Sequence, residues 1–199
     1  MVFCSGASDI PEFLKNNANE CNIAIAASAL DEYCLESRLT GVLSEEFHDQ
    51  VCFHGVVLEI QGRGVLITGA SGIGKTTAAL RAVQEGHCWV ADDFVLVRKN
   101  QQGELIACGH DRIKNLIYTK KTGIVPASRL IDCSRIKKTT KLAVMIEVEK
   151  NKVSESIISE RTKEIMETTL PGLHLRIPVY SYFNKNLLKK SLRLLFKDT

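Results

Sequence analysis

The residues with the clearest chemical potential form one unbroken run with the pattern G-x-x-x-x-G-K-T. In order, they are Gly69, Ala70, Ser71, Gly72, Ile73, Gly74, Lys75 and Thr76. Glycines at these positions let backbone N–H groups turn inward around phosphate oxygens, and a helix that begins at the end of the loop adds the positive end of its dipole. We expect all eight residues to hold the phosphates of ATP, with Lys75 against the β- and γ-phosphates and the Thr76 hydroxyl on Mg²⁺.

Two neighbouring carboxylates, Asp92 and Asp93, follow the apolar stretch of residues 88–91. Adjacent side chains on a strand point to opposite faces, so both reach one ligand only where the strand ends. We therefore predict that the strand ends here. One carboxylate could then hold Mg²⁺, and the other could accept a hydroxyl proton. The alternative is a solvated turn that binds nothing.

These groups need a strand before the loop and a helix after it, and the sequence predicts both. Residues 65–68 are typical of a strand, and residues 75–85 of a helix that ends at Gly86. Another strand, residues 56–60, precedes the first, and the loop between them is too short for a parallel crossover, which predicts an antiparallel hairpin and a mixed sheet. Further strands are predicted at residues 94–99, 105–108, 142–148 and 173–179, and a helix at residues 186–196.

The first fifty residues form a separate pattern of strand, helix, strand and helix. The strands are predicted at residues 1–5 and 22–27, and the helices at residues 9–20 and 31–47. A segment of this length buries little apolar surface by itself. We therefore expect two parts, an appendage of residues 1–50 and a main domain of residues 51–199.

Composition excludes several classes of protein. Of the 199 residues, 45% are hydrophobic and 25% charged, as in ordinary soluble globular domains. No apolar run reaches the roughly 18 residues of a membrane span, and the N-terminus does not resemble a signal peptide, so we expect a cytoplasmic protein. The seven cysteines lack ligand or CxxC spacing and are interpreted as reduced thiols.

Charge is distributed unevenly along the chain. Residues 1–60 carry ten acidic and two basic side chains, and residues 61–199 carry thirteen and twenty-four. No aromatic residues are interleaved with the lysine clusters, so we expect no nucleic-acid partner. The C-terminal helix is basic and rich in leucine. Membrane or peptide binding is possible for such a helix, but packing of its leucines on the sheet or on another subunit is favoured.

The region around the P-loop resembles the HPr kinase/phosphorylase family. The residues that carry the resemblance are His54, Gly55, Gly62, residues 64–69, Ser71, Gly72, Gly74, Lys75, Ala78, Leu80, Gly86, His87 and residues 90–93. The resemblance implies an α/β P-loop kinase domain with a mixed sheet related to that of phosphoenolpyruvate carboxykinase. It also implies that residues 1–50 are the remnant of a longer N-terminal domain.

The resemblance further implies an activity and a set of site residues. Family members are homohexamers that transfer the γ-phosphoryl group of ATP to a serine of HPr, a small phosphocarrier protein, and can reverse the reaction by phosphorolysis. By position, Asp92 matches the acid-base aspartate. Lys75, His54 and Asp93 match phosphate-site residues, with Asp93 a candidate for the metal, and Arg161 matches a catalytic arginine.

Two departures from the family keep other functions open. Ala70 stands where the family has an acidic residue, and Tyr118 stands where it has a glutamate that helps bind Mg²⁺. A phenol stays protonated near neutral pH and is a poor ligand for a hard cation. The alternatives are an ATP-binding regulator without catalysis and a kinase of the same fold that acts on a small hydroxyl compound such as free serine.

Overall fold

The computed structural model describes residues 2–31, 35, 50–110, 115–119 and 123–196. The chain divides into two compact units, Met1–His48 and Asp49–Thr199. Within the described residues, no helix is long and apolar enough to cross a membrane, and no disulfide bond joins the cysteines.

The first unit contains strand β1 (Val2–Ser5), helix α1 (Glu12–Glu20) and strand β2 (Ile25–Ser28). The two strands are parallel, with Val2 opposite Ile25. Strand, helix and strand follow each other as predicted, although α1 begins after Pro11 rather than at Asp9, whose side chain accepts a hydrogen bond from the Ile10 N–H instead. Apart from Asp31 and Leu35, the helix predicted at residues 31–47 lies outside the described residues.

The second unit is built on a seven-stranded mixed sheet. In chain order, its strands are β3 (Gln50–Ile60), β4 (Arg63–Gly69), β5 (Cys88–Lys99), β6 (Leu105–Gly109), β9 (Thr139–Asn151), β10 (Ile157–Ile165) and β11 (Thr168–Pro178). Their order across the sheet is β10-β11-β9-β4-β3-β5-β6. The predicted hairpin is confirmed, because β3 is antiparallel to β4, and the sheet is mixed because β4 is parallel to β9.

The sheet closes on itself through β9. Residues 142–148 of this long strand pair with β4 and residues 145–151 pair with β11, whereas residues 139–141 pair with β6. Five strands, β9-β4-β3-β5-β6, therefore form a ring. Side chains alternate between the two faces, so Val57 and Leu66 belong to one apolar cluster and Val56 and Ile67 to the other.

Two helices cover the cluster that contains Val56. Helix α2 (Lys75–Gln84) buries Ala78, Ala79, Ala82 and Val83. Helix α3 (Lys185–Leu195) buries Leu188, and its N-terminus is capped by the Asn184 side chain, which accepts hydrogen bonds from two backbone N–H groups. The leucines of α3 pack on the sheet core, as the sequence analysis favours.

The prediction that a strand ends at Asp92-Asp93 is wrong. Strand β5 continues without interruption from Cys88 to Lys99, because residues 50–54 of β3 pair with residues 94–98. The two carboxylates therefore lie in the middle of a strand. The strand has two local irregularities. The β3–β5 pairing shifts its register between Val57 and Leu58, and Asp93 has a left-handed backbone (φ 61°).

Three strands were not predicted. Strand β10 pairs with β11, and a separate hairpin is formed by β7 (Leu116–Thr119) and β8 (Gly123–Pro126). Two short 3₁₀ helices, Ala127–Arg129 and Cys133–Arg135, connect this hairpin to β9.

Candidate active site

The P-loop lies between the end of β4 and the start of α2. Gly69, Gly72 and Gly74 all have positive φ (144°, 71° and 113°). A Cβ atom at Gly69 would lie 2.4 Å from the Val148 carbonyl oxygen, and one at Gly74 would lie 2.3 Å from that of Phe183. At Gly72 a Cβ atom would meet nothing within 4 Å. The loop is thus packed against the protein at both ends and open in the middle, as a phosphate cradle requires.

Lys75 folds back over this loop. It is 5% exposed, and its Nζ donates hydrogen bonds to the carbonyl oxygens of Gly69 (2.7 Å) and Ala70 (3.1 Å). The same atom lies 3.3 Å from Nε2 of His54, which strand β3 contributes. Burial lowers the pKa of Lys75, whereas the nearby charges of Asp92 and Asp93 act in the opposite direction. The structure therefore brings Lys75 and His54 together. A bound phosphate group would pair with the buried ammonium charge and so compensate for its lost hydration.

Asp92 lies beside the start of α2. It is 4% exposed, and its Oδ1 accepts a hydrogen bond from the Thr76 hydroxyl at 3.1 Å. Its Oδ2 is buried and has no hydrogen-bond partner among the described residues. Burial, with a smaller contribution from the charge of Asp93, raises the pKa of Asp92 to about 7. An unpaired buried carboxylate oxygen beside a threonine hydroxyl fits a Mg²⁺ ion, because a hard cation favours oxygen ligands and would stabilise the ionised form.

The rest of a metal shell would have to come from outside the protein. Among the described residues, no group of three or more His, Cys, Asp or Glu side chains could hold a metal ion. Mg²⁺ usually binds through one or two protein oxygens together with phosphate oxygens and water. Thr76 and Asp92 meet that requirement.

Asp93 differs from its neighbour. It is exposed, it has the left-handed backbone conformation, and it stands opposite Gly55 of β3. The resemblance to HPr kinases implies the acid-base role for Asp92 and makes Asp93 a candidate for the metal. The placement favours the reverse assignment, since the buried Asp92 contacts Thr76 and the exposed Asp93 is accessible to a large acceptor molecule.

Replacing Asp92 by asparagine is expected to stabilise the metal-free and nucleotide-free protein at neutral pH. The folded-state pKa lies above the unfolded value near 3.9, so the stability contributed by the neutral carboxyl is complete below about pH 4 and is lost as the pH rises through 7. Asparagine stays neutral throughout. At pH 8 the variant should gain as much as about 4 kcal/mol in the free energy of unfolding, from about three pKa units at 1.36 kcal/mol each.

Urea unfolding of both proteins between pH 4 and 8 measures this difference. The gain should shrink toward zero at the acidic end of the range. A difference that is independent of pH would show that Asp92 ionises normally in the folded protein.

Two further residues from the sequence analysis do not join this cluster. Arg161 lies exposed on β10, three strands away from β4, where it lines a groove of about 150 Å³ with Glu147, Lys163 and His174. Tyr118 lies on β7 opposite Ile124 and is 54% exposed. Within one chain, the described site therefore consists of the P-loop, His54, Asp92 and Asp93.

The segment around Phe183, which packs against the P-loop, is not among the predicted site residues. The Phe183 N–H donates to the Ile73 carbonyl at 2.8 Å, and Phe183 and Leu188 are each 1% exposed in the same apolar cluster. An apolar residue just before an N-cap often packs on the fourth residue of the helix. Here the two residues are Phe183 and Leu188. The pattern Phe183-Asn184 with Leu188 could have identified this support.

Comparison with known proteins identifies a family for most of the second unit. Residues 45–188 match the model of the HPr Serine kinase C-terminal domain. The HPr kinase/phosphorylase of Exiguobacterium sibiricum is 31% identical over 175 residues, which cover 86% of this chain and 56% of that protein. The HPr kinase/phosphorylase of Bacillus mycoides is 31% identical over 173 residues, with 85% and 56% covered. The chain thus spans about half the length of the curated relatives it matches.

A solved structure supports the fold independently. The Hpr(Ser) kinase/phosphatase from Coxiella burnetii matches with a TM-score of 0.61 and 22% sequence identity, covering 74% of this chain and 99% of that one. The fold class predicted from the sequence is thereby confirmed. A complete P-loop, a match over most of the second unit and a shared fold place this chain in the HPr serine kinase C-terminal domain family.

Proposed function

We propose that this protein transfers the γ-phosphoryl group of ATP to a serine hydroxyl of HPr or an HPr-like carrier protein. The observation that carries the proposal is the cluster in which Lys75, His54 and the Thr76–Asp92 pair surround an open P-loop. Its support comes from family membership and from relatives named HPr kinase/phosphorylase.

Each part of the cluster has a role in this reaction. The loop N–H groups and Lys75 bind the phosphates, and His54 lies beside Lys75 where it can contact the γ-phosphate. Thr76 and Asp92 would hold Mg²⁺, which when bound neutralises charge on the phosphate oxygens. Such transfer depends mainly on positioning and charge neutralisation, so this small set of groups suffices.

Asp93 completes the site as the general base. As the serine oxygen forms its bond to the γ-phosphorus, the bond from that phosphorus to the β–γ bridging oxygen breaks and ADP leaves. The serine proton passes to the Asp93 carboxylate, which is exposed and can be approached by a protein acceptor. We do not assign Arg161 to the site of its own chain, because it lies on the distant edge strand β10.

The proposal also covers the cellular location and the oligomeric state of the enzyme. In line with the resemblance to HPr kinases, we propose a cytoplasmic homohexamer in which residues 1–50 belong to an N-terminal domain. Phosphorolysis is not part of the proposal, because the position that the family fills with a metal-binding glutamate is occupied by the exposed Tyr118.

Incubation with γ-labelled ATP, Mg²⁺ and purified HPr tests the function. Label is expected on a single serine of HPr, and an HPr variant with alanine at that serine is the matched control. Label on free serine but not on HPr would show a small-molecule kinase. Binding of ATP without transfer to either acceptor would show a regulator that has lost catalysis.

A further inference from the structure

The strand order limits where the nucleoside half of ATP can lie. On one side of β4 stand β3 and β5, which place His54 beside Lys75 and Asp92 beside Thr76, where we propose that the γ-phosphate and Mg²⁺ are held. On the other side stand β9 and β11, which run parallel to β4, so that their carboxyl ends reach the same edge of the sheet as the P-loop. Ligands of such sheets bind at the carboxyl ends of the strands. The nucleoside therefore has the ends of β9 and β11 available.

The segment that follows β11, residues 179–184, is tied directly to the P-loop. The Phe183 N–H donates to the Ile73 carbonyl at 2.8 Å, and the Phe183 carbonyl oxygen closely approaches Gly74. Tyr182 is adjacent to this contact in the chain, and it is 58% exposed even though Phe183 is fully buried. An aromatic ring is thus held at the border of the phosphate site.

Strand β9 adds a cation at the same place. Val148 contacts the first glycine of the loop, and Lys150, two residues further along β9, places its Nζ 4.7 Å from the centroid of the Tyr182 ring. This cation–π contact orients the ring and engages one of its faces. The large exposed fraction of Tyr182 leaves ring surface accessible for another planar group.

We propose that Tyr182 binds the nucleoside of the triphosphate by stacking on its base, on the ring face that Lys150 does not engage. This inference rests on the proposed function, since it presumes that the P-loop holds a nucleotide. Stacking uses the π-face that every base has, so the subsite should tolerate changes of base. ATP and GTP are expected to bind with similar affinity.

Calorimetric titration of the full chain with MgATP, MgGTP and inorganic triphosphate tests the subsite without requiring turnover. Wild-type protein should bind ATP more tightly than inorganic triphosphate. Tyr182→Ala should weaken ATP and GTP binding about five- to twentyfold and leave triphosphate binding unchanged. Tyr182→Phe, which keeps the ring, should bind ATP as wild type does.

The matched control is Tyr180→Ala. Tyr180 lies on the same segment, but its hydroxyl donates to the Ser154 carbonyl at 3.2 Å, so we expect no change in ATP affinity. Wild-type ATP affinity in Tyr182→Ala would overturn the inference. So would an equal loss for ATP and inorganic triphosphate, which would mean that Tyr182 only supports the loop. Failure of wild-type protein to bind either compound would overturn the proposed function as well.

Discussion

Asp93→Asn is expected to reduce the proposed phosphoryl transfer to HPr about 10²- to 10⁴-fold while leaving MgATP affinity largely unchanged. Removing the proposed general base acts on the chemical step, and among the described residues the exposed Asp93 side chain, unlike Asp92, has no hydrogen bond to the P-loop. Asparagine also tolerates the left-handed backbone of this position (φ 61°), so the substitution should not disturb β5. Single-turnover phosphorylation of HPr, together with calorimetric titration of ATP, separates rate from binding.

Asp92→Asn is the control that distinguishes the two neighbouring carboxylates. Because Asp92 contacts Thr76, its loss should raise the Mg²⁺ concentration required for half-maximal transfer. If Asp93→Asn transfers phosphate at the wild-type rate and Asp92→Asn does not at any Mg²⁺ concentration, Asp92 is the base, as the sequence analysis first assigns.

Lys75→Met should weaken ATP binding about ten- to a hundredfold, since a charge-assisted contact is worth about 1.5–3 kcal/mol. Methionine keeps most of the aliphatic stem of this buried side chain, so the loss reports the ammonium group rather than a cavity. Isothermal titration calorimetry with MgATP measures the effect. The control is Lys141→Met. Lys141 is an exposed residue of β9 that forms an ion pair with Glu104, so the variant should bind ATP as wild type does. Equal affinities in the two variants would disprove the role of Lys75.

The parts of the fold that the sequence predicted are those with strong local patterns. The hairpin of β3 and β4 is specified by a two-residue turn, Gln61-Gly62, in which both residues have positive φ. The P-loop and α2 are specified by glycine spacing and by alanines on one helix face. These signals act between neighbouring residues, so they are visible in a single sequence.

The missed parts depend on partners that are distant in the chain. Strand β5 continues past Asp92 and Asp93 because β3 extends beyond Gly55 to pair with it. Strand β10 lies at the edge of the sheet and carries mostly exposed polar side chains, so it has no apolar alternation, and its turn to β11 uses Met166 and Glu167 at positive φ instead of the usual glycine. For the candidate site, the sequence predicts the P-loop and both carboxylates, but which carboxylate is buried depends on how β5 pairs.

The closed ring of strands has a consequence for when the P-loop can first adopt its structure. The P-loop strand β4 is held on one side by β9, a parallel neighbour that comes much later in the chain, and the pairing of β6 with residues 139–141 closes the ring. Contacts between segments so distant in sequence form slowly, because the chain entropy between them must be lost first. During synthesis, Gly69 therefore cannot pack against Val148 until β9 has left the ribosome. A chain that ends before β9 would contain the whole P-loop sequence but could not fold it into a phosphate-binding loop.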